Sequence, residues 1–201
     1  MTLTARRLIA PMLFAAVAVA CGQGLPQEST PLAKAELRAA DGTDVGNVEF
    51  FDQAGATMVR VRLDVKGKAD VGKFHGIHIH ANDDPANGSG CVADPNADPT
   101  TWFVSADGHL RTDDQLHPDH IGDFPSVLIK QDGTASLEFV TDRLTSGDLV
   151  GHAVILHANA DNFGNIPSEG PQGYTANGPD AITQTDRTGN AGNRIACSVI
   201  E

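Results

Sequence analysis

The chain has 201 residues, room for one domain or two at most. Lys and Arg total 14 against 26 Asp and Glu, a formal net charge of −12, which argues against nucleic acid or an anionic membrane surface as the main partner. Hydrophobic residues make up 40% and aromatics 5%, with 21 Gly, 11 Pro and three Cys; this excludes a disordered chain and a disulfide-dense scaffold and suits a loop-rich β protein.

At the N-terminus, Arg6-Arg7 is followed by an apolar run from Leu8 to Ala20. As a helix that run extends about 20 Å, short of the roughly 30 Å core of a bilayer. A basic start, a short apolar stretch and small residues before Cys21 predict an export signal over 1–20. Ala18-Val19-Ala20-Cys21 is similar to a bacterial lipobox, with Ala where a larger aliphatic is usual. Lipidation of Cys21 would anchor the chain to a membrane, in the periplasm or on the cell surface. Ordinary signal-peptidase cleavage near the same alanines is the alternative. Either way the protein works outside the cytoplasm, where disulfides persist. The two other cysteines, Cys91 and Cys197, are then expected to form one bridge. Residues 21–32 are polar and Pro/Gly-bearing and read as a tether. The domain proper spans 33–201.

From residue 33 onward, period-two alternation recurs. Ala33, Ala35, Leu37 and Ala39 alternate with Lys34, Glu36 and Arg38. Val59, Val61, Leu63 and Val65 alternate with Arg60, Arg62 and Asp64. Further strands are expected over 45–51, 74–81, 125–130, 135–140, 151–157 and 194–200. Asp41-Gly42 and Asp132-Gly133 are turn signals between such runs. Eight short strands with no helical period predict an all-β, antiparallel sandwich or barrel. Two stretches without strand pattern, 82–124 and 158–193, are too long for idle connections and mark functional loops.

All eight histidines lie between positions 75 and 157. His78 and His80 are i and i+2 in a strand, so both imidazoles share one face while Ile77 and Ile79 point into the core. His157 ends the apolar strand AVILH and offers a third nitrogen. An all-imidazole site suits copper or zinc. Farther along, His117 and His120 in HPDH, with Asp123 and the upstream His109, supply three nitrogens and a carboxylate. Four such ligands and no open position describe a closed tetrahedral zinc site. The alternative is a solvated acidic loop with chance histidines. Trp102 and Phe103 read as packing for the long loop or as cover for a subunit contact. His152 has no assigned role.

Taken together, Phe74-His75-Gly76-Ile77-His78-Ile79-His80, Cys91, His120-Ile121-Gly122-Asp123, ILHANADNFGNIP at 155–167 and Gly189-Asn190-Ala191-Gly192-Asn193-Arg194-Ile195-Ala196-Cys197 resemble copper/zinc superoxide dismutase. The match runs in order from about residue 33 to the end and is most similar to exported bacterial members of the actinobacterial lipoprotein type. The resemblance implies an eight-stranded Greek-key β-barrel with metals outside it, beneath the two long loops. It implies copper on His78, His80, His109 and His157, and zinc on His109, His117, His120 and Asp123, with His109 bridging. Arg194 would face the copper and guide the superoxide anion, and Thr188 would line the same channel. Asp161 would link a ligand of each metal, and His75 would brace the copper side. Cys91 and Cys197 would be the disulfide. Family members are monomers or homodimers.

Residue chemistry supports that reading. Dismutation takes an electron from one superoxide and gives it to a second, which also needs protons. An imidazole that alternately bridges and protonates can deliver one, and an Arg supplies fixed charge and donors for a small anion. Positive potential focused at the site lets an acidic protein attract an anion; Arg187 and Arg194 bracket the loop end there. The chain departs from the family in a longer stretch between Cys91 and His109, in Asp107-Gly108 where Gly-Pro is common before the bridging His, and in a short span from His117 to His120. Two other readings stay open: a copper-only dismutase whose short loop closes no zinc site, and a non-catalytic copper/zinc-binding lipoprotein. Arg194 speaks against the last, since storage needs no anion guide.

Overall fold

The computed structural model describes residues 30–112, 114–163 and 179–201. The expected signal over 1–20, Cys21 and most of the tether lie outside the described residues, as does the middle of the 158–193 loop.

Alternation becomes strands as expected. β1 (Ala33–Ala39) buries Ala33, Ala35, Leu37 and Ala39 and exposes the charged residues between them. β2 (Asp44–Gln53) and β3 (Ala56–Asp64) follow, and Val59, Val61 and Leu63 of β3 face the same core. A two-residue turn, Ala54-Gly55, joins β2 to β3, with φ of 49° and 94°. That left-handed pair matches the twist of the flanking strands. Asp41-Gly42 and Asp132-Gly133 sit at the turns leading into β2 and β7 (Thr134–Thr141).

The described residues form nine strands rather than eight, because the expected 74–81 strand is two. β4 (Lys73–His75) pairs with β6 (Val127–Ile129), whereas β5 (Ile77–His80) pairs with β8 (Ala153–His157). Gly76 makes the break. Its N–H donates to the Asn159 carbonyl and its carbonyl accepts from the His157 N–H. A Cβ there would stand 2.8 Å from Asp161 Oδ1 and 2.9 Å from the Ala191 Cβ. With β9 (Arg194–Val199), seven strands form one curled antiparallel sheet in the order β5-β8-β9-β1-β2-β3-β7, and β4–β6 form a second, two-stranded one. The pairs β1–β9, β3–β7 and β5–β8 join strands remote in sequence, as in a Greek key.

One helix was not expected: α1 (Pro179–Thr188) lies in the second long loop. Pro in its first turn and Gly189 just past its end are the usual punctuation. Gly189 has φ +59° and its N–H donates to the Thr185 carbonyl, a left-handed C-terminal cap. No helix among the described residues is long and apolar enough to cross a membrane.

The main core lies inside the curled sheet, with Leu37, Phe50, Val61, Ile77, Ile79 and Leu156 fully buried. Each such side chain contributes roughly 1.5–3 kcal/mol by leaving water. A second cluster lies on the other face of β8 and β9: Phe103, Ala106, Ala153, Ile155 and Cys197. Strand alternation divides β8 between them, Val154 and Leu156 inward, Ala153 and Ile155 outward. The first long loop is held on this outer face. Cys91 is bonded to Cys197, Phe103 N–H donates to the Val92 carbonyl, and Trp102 Nε1 donates to the Asp94 carbonyl at 2.8 Å. Trp102 and Phe103 thus pack the loop.

Candidate metal centre

β5 carries Ile77 and Ile79 inward and His78 and His80 outward, all four fully buried. The antiparallel register sets His78 opposite Ile155 and His80 opposite Ala153, with His157 at the far end of β8. The other side of β5 is met by the loop. Ile79 N–H donates to the Gly122 carbonyl, Ala81 N–H to the Gly108 carbonyl, and Leu110 N–H to the Ile79 carbonyl. His109 and Asp123 form isolated bridges to His80 and His78, so the backbone itself brings them to the strand-borne histidines.

One ligand atom each from His78, His80, His109 and His157 lies within 4.8 Å of the others. His80 Nδ1 is tied to the Asp107 carbonyl at 2.8 Å and His157 Nδ1 to the Gly192 carbonyl at 3.2 Å. Their Nε2 atoms face each other at 3.3 Å. When Nδ1–H donates to a carbonyl, Nε2 carries the lone pair. His78 Nε2 is 2.8 Å from Asp161 Oδ1.

The second cluster gathers around Asp123. Its Oδ1 is 2.7 Å from His109 Nδ1, and its Oδ2 is 3.1 Å from both His117 Nδ1 and His120 Nδ1. His120 Nδ1 and His109 Nδ1 are 3.3 Å apart. His78, His109, His117 and Asp123 also bring ligand atoms within 4.8 Å of one another, so the two clusters share a wall. His117 is clamped from several sides. Its N–H donates to the Asp186 carbonyl of α1, Phe163 stacks on its ring at 5.6 Å, and a Cβ on Gly189 would stand 2.5 Å from its Nε2.

These donors fit metal ions. Among the described residues, His78 Nδ1 and His109 Nε2 are buried ring nitrogens with no hydrogen-bond partner. Each such atom costs about 1–3 kcal/mol if left so. A cation in the same pocket would take up these lone pairs and remove that cost. Four imidazoles suit copper, and three imidazoles with one carboxylate suit tetrahedral zinc. Electrostatics agrees. Burial pushes His78 and His109 down to about 3, and holds His80 and His157 well below the ordinary imidazole value. Neutral rings keep their lone pairs free. Burial pushes the Asp123 carboxyl up, but hydrogen bonds from His109, His117 and His120 outweigh it and keep it ionised.

Around the ligands sit the supporting residues. Asp161, its carboxyl raised by burial, places Oδ1 2.8 Å from His78 Nε2 and 3.8 Å from His117 Nε2, and accepts from Ser126 Oγ at 2.8 Å. His75 reaches the His157 carbonyl through Nδ1 and the Asp70 carbonyl through Nε2, both at 2.9 Å. His152 Nδ1 meets the Ala81 carbonyl at 2.6 Å, a contact that braces the end of β5.

Arg194 donates through Nη1 to the Phe103 carbonyl and through Nη2 to the Asp107 carbonyl. Burial lowers it to about 10, leaving it charged at neutral pH. It lines a cavity of about 270 Å³ with His109, Thr188, Arg187 and Arg111. Arg111 was missed in the sequence; its place two residues after His109 was the available signal. A larger cavity, about 760 Å³, is walled by Phe74, Phe124, Val140 and Phe163 and is also lined by Asp123 and Asp161.

The sequence model of a family described as copper/zinc superoxide dismutase (SODC) matches residues 45–200. The chain is 36% identical over 178 residues to a Cu-Zn superoxide dismutase of Mycolicibacterium paratuberculosis, covering 86% of this chain and 75% of that protein. It is 39% identical over 171 residues to one of Mycobacterium tuberculosis, covering 82% and 68%. The fold is similar to that of the Cu/Zn superoxide dismutase from Brucella abortus, with TM-score 0.58 at 23% identity over 84% of this chain and 99% of that one.

Proposed function

The chain belongs to the copper/zinc superoxide dismutase family, and from that premise we propose how its own residues divide the work of removing superoxide. The reaction converts two superoxide anions and two protons into dioxygen and hydrogen peroxide. Bound copper supplies one-electron oxidation of the first anion and one-electron reduction of the second. In our reading His78, His80, His109 and His157 hold copper, and His109, His117, His120 and Asp123 hold zinc. The observation that carries this is His109. Its Nδ1 lies among the Asp123 and His120 ligand atoms, while its Nε2 is buried without a partner. One ring thereby faces both clusters, and its Nε2 is placed to take up a proton and release it to nascent peroxide.

Arg194 is the catalytic cation. Its grip on two carbonyls of the disulfide-bearing loop fixes the guanidinium beside His109, where it offers charge and donors to a small anion. Arg111 and Arg187 extend positive charge outward from it, which is how a chain of charge −12 draws in superoxide. Thr188 lines the same approach. Asp161 orients the His78 and His117 rings from behind, and His75 pins the backbone of His157.

The mature chain is exported from the 1–20 signal and carried by a lipid on Cys21 through the 21–32 tether, with the 33–201 barrel in the periplasm or on the cell surface, as a monomer or homodimer. The basic-apolar-Cys pattern and the Cys91–Cys197 bridge support this. Elemental analysis of the purified exported chain, with a superoxide-consumption assay, tests the ligand reading. One copper and one zinc per chain with fast turnover is expected. Copper and turnover without zinc would remove His117, His120 and Asp123 from the ligand set.

A further inference from the structure

The residues between the two zinc-type histidines, Pro118 and Asp119, lie in a turn with no ladder to hold them. One side chain from elsewhere reaches this turn along its length. Arg143 Nη1 donates to the Pro118 carbonyl at 2.8 Å and to the His120 carbonyl at 3.2 Å, and its Nη2 stands 3.5 Å from Asp119 Oδ1. Three consecutive residues, the last a zinc-type ligand, meet one guanidinium.

Arg143 is well placed to transmit rigidity. It follows β7, whose eight residues all pair with β3. Its own N–H donates to Thr141 Oγ1 at 3.2 Å. The next residue, Leu144, is buried in the core, and its carbonyl accepts from Thr57 Oγ1 at 2.9 Å. The backbone that carries the Arg143 side chain is therefore fixed on both sides by the barrel wall.

We propose that Arg143 is the positioning residue of the zinc site: its planar fork holds the 118–120 turn so that His117 and His120 present their Nδ1 atoms together to the ion. This rests on the reading that His109, His117, His120 and Asp123 bind zinc. The contact with Asp119 is a minor part, since that carboxylate is 80% exposed and surface pairs contribute little. Two effects of Arg143 oppose each other. A cation near a cation site weakens metal binding by repulsion, whereas a fixed pair of ligands strengthens it. Removing the side chain shows which wins.

The test is a competition titration of the protein with zinc against a chromophoric chelator, for wild type, Arg143→Met and Arg143→Lys. Cobalt(II) substitution is the spectroscopic reporter, and a copper titration runs in parallel. Outer partners of metal ligands are typically worth about 10- to 100-fold in affinity. That loss is expected for Arg143→Met, with shifted cobalt bands and unchanged copper affinity. Arg143→Lys keeps the charge but cannot span two carbonyls; it is expected to lose part of the affinity, and it serves if the Met variant does not fold. Unchanged or tighter zinc binding in the variants overturns the proposal, even if thermal stability falls. A wild-type protein that takes up copper but no zinc overturns the ligand reading itself, and the proposal with it.

Discussion

The two halves of the metal centre are built on different materials. His78, His80 and His157 stand on β5 and β8, where backbone ladders and a buried core set each Cα. His117, His120 and Asp123 stand on turns, where a few bonds do that work: His117 N–H to Asp186, His120 N–H to Asp123, and the Arg143 fork. A strand-borne ligand set is preformed by the fold, so its site survives loss of the ion. A turn-borne set depends on isolated bonds, to one backbone carbonyl of α1 and to the side chains of Asp123 and Arg143, and its geometry is part of what the ion itself stabilises.

The most severe way to break the contrast is His80→Ala. Copper and turnover are expected to fall to background while zinc stays at one per chain and the sheet still forms, because the β5–β8 ladder does not use the ring. Loss of zinc in the same variant, read by elemental analysis, would show that the halves are not separable.

Acid acts next, on rings and carboxylate in different ranges. In the folded metal-free protein His78 and His109 are held at about 3, below an ordinary 6.5. Between those values the unfolded chain binds more protons, so stability is present above pH 6.5 and declines as pH falls toward 3, by up to about 1.4 kcal/mol per pH unit for each group. Asp123 behaves otherwise. Its carboxyl is depressed, so its contribution is present above an unfolded value near 3.9 and is lost only at lower pH. Thermal scans of the metal-free protein from pH 7 to pH 4 should show a decline starting near 6.5. A flat profile would contradict the neutral, buried state of these rings.

Gly189→Ala sharpens the comparison from the other half. The new Cβ would meet His117 Nε2 at 2.5 Å, at a backbone φ of +59°. Zinc affinity is expected to fall about tenfold or more, with copper retained; a chelator titration measures both. The smallest effect belongs to Arg187→Gln at the rim. Turnover should drop a few-fold, less than the roughly 10- to 1,000-fold that electrostatic focusing as a whole can supply, and its dependence on ionic strength should flatten. An unchanged salt profile would return Arg187 to plain surface charge.

Legibility in the sequence followed the same division. Strand alternation placed β1 and β3, and His-x-His on one strand face announced the outward pair. The split at Gly76 was not legible, since it reflects which strands lie next to β4 and β5 and not any local preference. Nor was α1, whose short run is tied down at its end by Gly189 and by the bond from His117 to Asp186. Arg111 and Arg143 were missed for a related reason: each acts on residues that only the folded chain brings near. The Cys91–Cys197 bridge, by contrast, followed from compartment and count.

The bonds that tie Gly108, Leu110 and Gly122 to the outer side of β5 have a further consequence. β5 is the last strand of the seven-stranded sheet, and a bare terminal strand is a template on which another chain can add itself. Here the loop that delivers His109 and Asp123 occupies the donor and acceptor of Ile79 and the donor of Ala81. The same few hydrogen bonds that complete the metal centre also close this edge of the sheet to another strand.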